Sequence, residues 1–415
     1  MECPRGHNAA VAERTKSQFK RWLTAPPRPH GQVDKDRSVS FLELFYDLVY
    51  VAVISQISNR LTADISIRGF LEFAVVFAML WIAWINGSLY VELHGREDGR
   101  TRLLVFAQMG ILAMLAVFAQ DAAGSQGTAY ALVYALYLAL MTWHWNIVRS
   151  QDRSENPEFL PVTKFYVLGM LISTLVIAGS AFLPDDARLI VWTLYGAAWF
   201  GGIQYASVRP RVGVGEGVMA TSSLVERVAG FMIIVLGEVV FGVVEGLSAS
   251  DRDLRTVATG MLALVIGFGQ WWIYFDLVGR RMPRGDRGVL SVWLLSHMPM
   301  QLSIAASGAA IVSLVEHAQD AVTPVSTAWL LGGSVAIGLV SLVFTTRSIV
   351  DAVRLETVYR PLTIVLLAGA ALAVLAGVLD PAPWLLALLI VAILTGLWFV
   401  AIVRLIRAGA WLASR

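Results

Sequence analysis

Pro383-Trp384-Leu385-Leu386-Ala387-Leu388-Leu389-Ile390-Val391-Ala392-Ile393-Leu394-Thr395-Gly396-Leu397-Trp398-Phe399-Val400-Ala401-Ile402-Val403 runs 21 residues without a charged side chain. At about 1.5 Å of helical rise per residue it crosses the roughly 30 Å hydrocarbon core of a bilayer. Buried strands of soluble enzymes are much shorter, so the run points to lipid as the solvent. Asp380 precedes it, and Arg404 and Arg407 follow it. The whole composition agrees: the 415 residues are 57% hydrophobic and 15% charged, whereas soluble domains carry about a quarter charged residues.

Outward from this run, further apolar stretches begin near Phe41, Phe70, Arg102, Thr128, Thr163, Arg188, Leu224, Thr256, Val289, Val325 and Pro361. The expected fold class is therefore all-α: a polytopic transmembrane bundle of about twelve helices. Two places test that count. A reentrant segment folding back at Asp380 to Pro383 would imitate two helices, and the first span is interrupted by Glu43 and Asp47.

The net charge of +2 gives no reason to expect a nucleic-acid partner. The single cysteine, Cys3, excludes an internal disulfide framework and any cysteine-held metal cluster. Residues 1–40 are polar, basic and proline-bearing (Pro26, Pro27, Pro29), which reads as a disordered cytoplasmic tail.

Lys and Arg concentrate in alternate loops: the tail (Arg14, Lys16, Lys20, Arg21, Lys35, Arg37), then Arg96, Arg100 and Arg102, Arg149 and Arg153, Arg209 and Arg211, Arg280 to Arg287, Arg347 to Arg360, and Arg404, Arg407 and Arg415; the intervening loops hold almost only Arg60, Arg68, Arg188, Arg252 and Arg255. The positive-inside rule puts these loops and both termini in the cytoplasm.

A shift of about half the chain sets Tyr90-Val91-Glu92-Leu93-His94-Gly95-Arg96 on Tyr274-Phe275-Asp276-Leu277-Val278-Gly279-Arg280. Nearly the same shift sets Phe41-Leu42-Glu43 on Leu224-Val225-Glu226. Two parallel six-helix repeats are expected, over residues 41–207 and 224–407, related by an axis along the membrane normal.

Ionisable groups inside a bilayer are costly and mark function by default. Glu43, Asp47, Glu92, Glu226, Arg227 and Asp276 fall in the cytoplasmic third of the first, second, seventh and eighth spans. Glu43 and Asp47, four residues apart, share a helical face, so a cation, a metal or an Arg belongs between them; Arg96 or Arg227 would make the pair structural. Glu238 falls near the midplane, suited to relaying protons or binding an ion. His297, two residues before Pro299, suits a gate or proton carrier beside a helix break; His144, between Trp143 and Trp145, reads as interfacial. Gly230 and Gly237, Gly242 and Gly246, and Ala305 to Ala309 suggest close helix packing. Trp81, Trp84, Trp271, Trp272 and Trp411 read as interface anchors.

Phe41-Leu42-Glu43-Leu44-Phe45-Tyr46-Asp47-Leu48-Val49-Tyr50 resembles the opening helix of the bacterial low temperature requirement A family. Leu224 to Arg227, Ile233 to Glu238, Trp271-Trp272-Ile273-Tyr274-Phe275-Asp276 and His297-Met298-Pro299 extend the resemblance in the family's order. Where the family carries paired acids after an aromatic, this chain has Glu92 and Glu97-Asp98. The resemblance implies a multi-pass protein of the bacterial inner membrane linked to growth in the cold. Tyr46-Asp47, opening a duplicated six-helix unit, is also similar to the aromatic-x-Asp motif of lysosomal-type potassium and proton channels.

Two chemistries follow from the residues. One is a secondary transporter or cation/proton channel, with a cytoplasm-facing cavity lined by Asp47, Glu226, Arg227 and Asp276 and with Glu238 and His297 deeper; it needs no cofactor. The other is an intramembrane enzyme acting on a polyprenyl or other lipid diphosphate. There Glu43, Asp47, Glu226 and Asp276 would hold Mg2+, and Arg280, Arg281 and Arg284 the phosphate. A stress-related scaffold is the third alternative. The expected partners are the lipid bilayer, a small ion or small-molecule or lipid substrate, and, as an option, a second copy of the chain.

Overall fold

The computed structural model describes residues 5–32, 37–208 and 220–409, with nothing stated for the side chains of residues 5–13. Cys3, Lys35, Arg209, Arg211, Trp411 and Arg415 lie outside the described residues. Among those described there are fourteen helices and no strand. They are α1 (Arg5–Thr24), α2 (Phe41–Ala63), α3 (Ile67–His94), α4 (Gly99–Ala119), α5 (Gly127–Glu155), α6 (Leu160–Ser180) and α7 (Asp185–Val208), then α8 (Ser222–Ala249), α9 (Leu254–Leu277), α10 (Val289–Glu316), α11 (Val325–Arg347), α12 (Val350–Arg354), α13 (Glu356–Val378) and α14 (Pro383–Arg407).

All but α1 and the five-residue α12 begin within five residues of an expected start. Eleven of these twelve long helices are long and apolar enough to cross a membrane. The exception, α7, is equally long, but Gly196, Gly201, Gly202, Gln204 and Tyr205 dilute its apolar run.

Side chains at the N-caps stop the first amides from going unpaired. Ser40, Ser66, Asp98, Thr221 and Asp253 accept from amides at the starts of α2, α3, α4, α8 and α9. Glu43 and Asp47 do not break α2, which is continuous. The Asp380 to Pro383 segment is a turn between two full helices, with Asp380 at φ 49°. The Pro381 carbonyl accepts from the amide and hydroxyl of Thr323, at 2.9 and 2.7 Å.

Six helix pairings recur in the same order in both parts of the chain, while α3 on α5 and α9 on α10 pack without a counterpart of similar extent among the described residues. In residues 41–208, α2 packs on α3 and α4, α4 on α5, α5 on α6, α6 on α7, and α7 back on α3. In residues 222–407, α8 packs on α9 and α10, α10 on α11, α11 on α13, α13 on α14, and α14 back on α9. The two parts meet chiefly where α2 packs on α8 and α10. A Cβ on Gly308 of α10 would lie 2.7 Å from the Glu238 carbonyl oxygen, and one on Gly242 of α8 would strike the Gly308 carbonyl. Those glycines let the backbones touch. Gly230 and Gly237, expected in the same role, face open space.

Described parts of the tail lie against the helix ends. The helix α1 packs on α4, and the Arg102 guanidinium sits 5.8 Å from the centroid of the Trp22 ring. Beyond α1, the Arg28 amide donates to the His94 carbonyl at 3.0 Å, and His30 Nδ1 lies 2.9 Å from Asp152. Polar composition signals only that a segment cannot build its own core; here it borrows the ends of α3, α4 and α5.

Candidate functional site

Below the tail, the beginnings of α2 and α8 meet the end of α3. Glu43, Asp47, Glu92 and Arg227 are all at least 95% buried there. Arg227 is 3.4 Å from Asp47 Oδ1 and 3.7 Å from Glu43 Oε2, and its guanidinium stands 5.5 Å from the centroid of the Tyr46 ring. The Trp84 indole N–H donates to Asp47 Oδ1 at 2.9 Å. Arg37, from the segment before α2, pairs with Glu43 and with Glu92 Oε2, the latter at 2.7 Å. The Thr221 and Ser223 hydroxyls donate to Glu92 Oε1, each at 2.7 Å. Among the described residues, three carboxylates thus face two guanidiniums. Glu43 Oε2 and Asp47 Oδ2 accept no hydrogen bond among the described residues.

A second site opens towards the other ends of α2 and α8. Ser55 donates to Glu238 Oε1 at 2.9 Å. A cavity of about 210 Å³ lies beside the pair, lined by Ser58, Asn59, Thr62 and Glu245 among others. Asn59 and Glu245 are exposed at its mouth, while Ser58 is buried.

Aromatic rings fill the level between the two sites. Tyr50 meets Phe231 edge-on at 5.9 Å, and Trp84 stacks on Phe231 at 4.2 Å. The Tyr46 hydroxyl lies 2.8 Å from that of Tyr50 and 3.0 Å from that of Tyr137, which donates to the Ala83 carbonyl. Asp47 and Ser55 are eight residues apart on α2, or about 12 Å of rise.

Other expected residues stay apart from this axis. Glu226 is exposed: neighbouring helix positions differ by about 100° in direction, so Arg227 turning inward sends it out. Arg96 is exposed, leaving Arg227 as the partner of the acid pair. Asp276 is half-buried and accepts from the Trp398 indole at 2.8 Å.

His297 is fully buried; its Nδ1 donates to the Trp293 carbonyl at 2.7 Å and its Nε2 accepts from Tyr274 at 3.1 Å. Both ring nitrogens are therefore occupied, and α10 runs unbroken through Pro299. His144 is buried, with Nδ1 2.9 Å from the Leu140 carbonyl. The carboxylates named for Mg2+ do not converge, and no group of three such ligands forms among the described residues. Of the arginines named for phosphate, Arg281 pairs with Asp351 and Arg280 points outward.

Trp81 and Trp84, expected at the interface, are fully buried and donate to Gln301 and Asp47. An indole N–H needs a partner wherever it is buried, so a Trp near the level of a buried acid was the available signal. Arg37 gave none beyond lying six residues before Glu43.

A family model described as bacterial low temperature requirement A protein matches residues 38–404. An uncharacterized protein of Rhizobium meliloti (strain 1021) is 27% identical over 240 residues, covering 57% of this chain and 58% of that protein. The chain thus spans less than two thirds of that relative. No solved structure matches.

Proposed function

The chain belongs to the bacterial low temperature requirement A family, and from that premise we propose that it is a secondary transporter or channel for protons or small cations, routed along α2 and α8. The observation that carries this reading is the pair of buried acid sites at two depths on the same two helices, Asp47 with Glu43 and then Glu238, with an aromatic layer between them. Carboxyls at such depth are costly, and a relay or an ion site is the use that offsets the cost. A closed layer between two half-sites suits a route that opens to one side at a time.

The Glu238 cavity, about 210 Å³, suits a few waters and a small ion better than a drug-sized substrate. The repeated helix pairing supports a parallel duplication, with the route between the copies. The spread of Lys and Arg supports a cytoplasmic tail end, in the bacterial inner membrane.

The test is dissipation of a pH gradient in proteoliposomes against a panel of monovalent cations, comparing wild type with Asp47→Asn and Glu238→Gln. The expected result is a flux lowered on the order of tenfold or more in both variants. A measurable flux that neither variant changes would remove both acids from the route. The Arg227 ion pairs between α2 and α8 favour the scaffold as second reading; it predicts lost stability and no flux in wild type.

A further inference from the structure

We propose that Glu43 and Glu92 form a guanidinium-binding site that the chain fills with its own Arg37, and that accepts an external guanidinium ligand when Arg37 withdraws. The arrangement is that of a ligand in a pocket. Arg37 stands on no helix; it lies three residues before the N-cap Ser40. Its side chain is 17% exposed, whereas those of Glu43, Glu92 and Arg227 beneath it are at most 6% exposed. It is thus the outermost member of the cluster.

One guanidinium spans two helices, with one terminal nitrogen on Glu43 of α2 and the other on Glu92 of α3. A planar fork of donors is the shape that bridges two carboxylates in this way, and a single spherical cation reproduces it poorly. The receiving groups are held without Arg37. Thr221 and Ser223 fix Glu92 through its other oxygen, and Arg227 approaches the far oxygen of Glu43.

Charge gives the driving force. Among the described residues, three carboxylates meet two guanidiniums with Arg37 in place; without it, Arg227 is left to pair with Glu43 and Asp47, and Glu92 keeps only its hydroxyl donors. The buried Glu43 Oε2, which accepts no hydrogen bond among the described residues, leaves acceptor capacity for an incoming donor. A buried, uncompensated carboxylate pair favours any cation that fits.

The inference deepens the proposed route by giving its tail end a tethered plug. It rests on that reading only for flux; binding stands on geometry alone.

The experiment uses the full chain in nanodiscs, with thermal unfolding followed in methylguanidinium at millimolar concentration and in sodium at equal ionic strength. Wild type is expected to show no specific response. Arg37→Ala is expected to melt lower and to regain stability in methylguanidinium, by a shift of a few degrees that saturates. Adding Glu43→Gln should abolish that response. Arg37→Gln runs beside it in case the alanine variant fails to fold.

A folded Arg37 variant that ignores methylguanidinium overturns the site, as does a wild type that responds equally. In proteoliposomes, Arg37→Ala should raise cation flux several-fold and methylguanidinium should suppress the excess. Binding without any flux in either protein would retain the site and reject transport.

Discussion

Arg227 is a single guanidinium shared by Glu43, Asp47 and the face of Tyr46. Its removal takes from the buried Asp47 its ion-pair partner and leaves Glu43 with Arg37, and breaking a buried pair from one side costs about 3–5 kcal/mol. Arg227→Met should therefore lower unfolding stability by that order, read from denaturation in detergent. Asp47→Asn on that background should recover part of the loss, because the amide keeps the Trp84 hydrogen bond without the charge. A double-mutant cycle showing no coupling would dissolve the pair as an energetic unit. Glu226 lies one position away and is exposed, so Glu226→Gln should leave stability unchanged in the same assay.

At the scale of the element, glycine spacing alone did not tell contact from vacancy. Gly308→Ala pushes a methyl group against the backbone of α8 and should destabilise by about 1–3 kcal/mol, the usual cost of overpacking. Gly237→Ala meets open space and should be neutral or stabilising by up to about 1 kcal/mol through helix propensity. Equal melting temperatures for the two variants would refute the α8 to α10 contact. The cap of α9 carries a pH signature. Hydrogen bonds, first that from the Thr256 amide, hold the exposed Asp253 carboxyl below its ordinary range. A depressed folded value means that this contribution is present above the unfolded value and is lost as pH falls through the folded one. Asp253→Asn should flatten the acid limb of stability against pH while leaving the plateau near neutrality almost unchanged.

For the whole molecule, loop contacts divide into two ends. Arg28, Arg37, Arg281 and Arg284 tie loops together at the tail end, while Arg68, Arg188 and Arg255 do so at the other. If the tail end is cytoplasmic, Ser154→Cys in a Cys3→Ser background should react with an impermeant thiol reagent only after spheroplasts are permeabilised. Ser248→Cys should react in intact ones. The reversed pattern would invert the proposed orientation.

How much was legible from the chain alone follows from the solvent. The extent of each long helix, the alternation of basic loops and the intramembrane acids are consequences of local length and charge in a bilayer, and these the sequence determined. Which acids meet was not legible. In a water-soluble helix the apolar stripe marks the inward face, but lipid is as apolar as a helix interface, so rotation about the helix axis leaves little trace in the pattern. Glu43 and Glu226 matched at nearly one repeat offset, yet only packing turned Glu43 and Arg227 inward and Glu226 out. Packing likewise brought Arg37 onto Glu92, set Trp84 on Asp47 and sealed His297 between Trp293 and Tyr274. Those partnerships are long-range choices made when helices dock, and only the tertiary structure decided them.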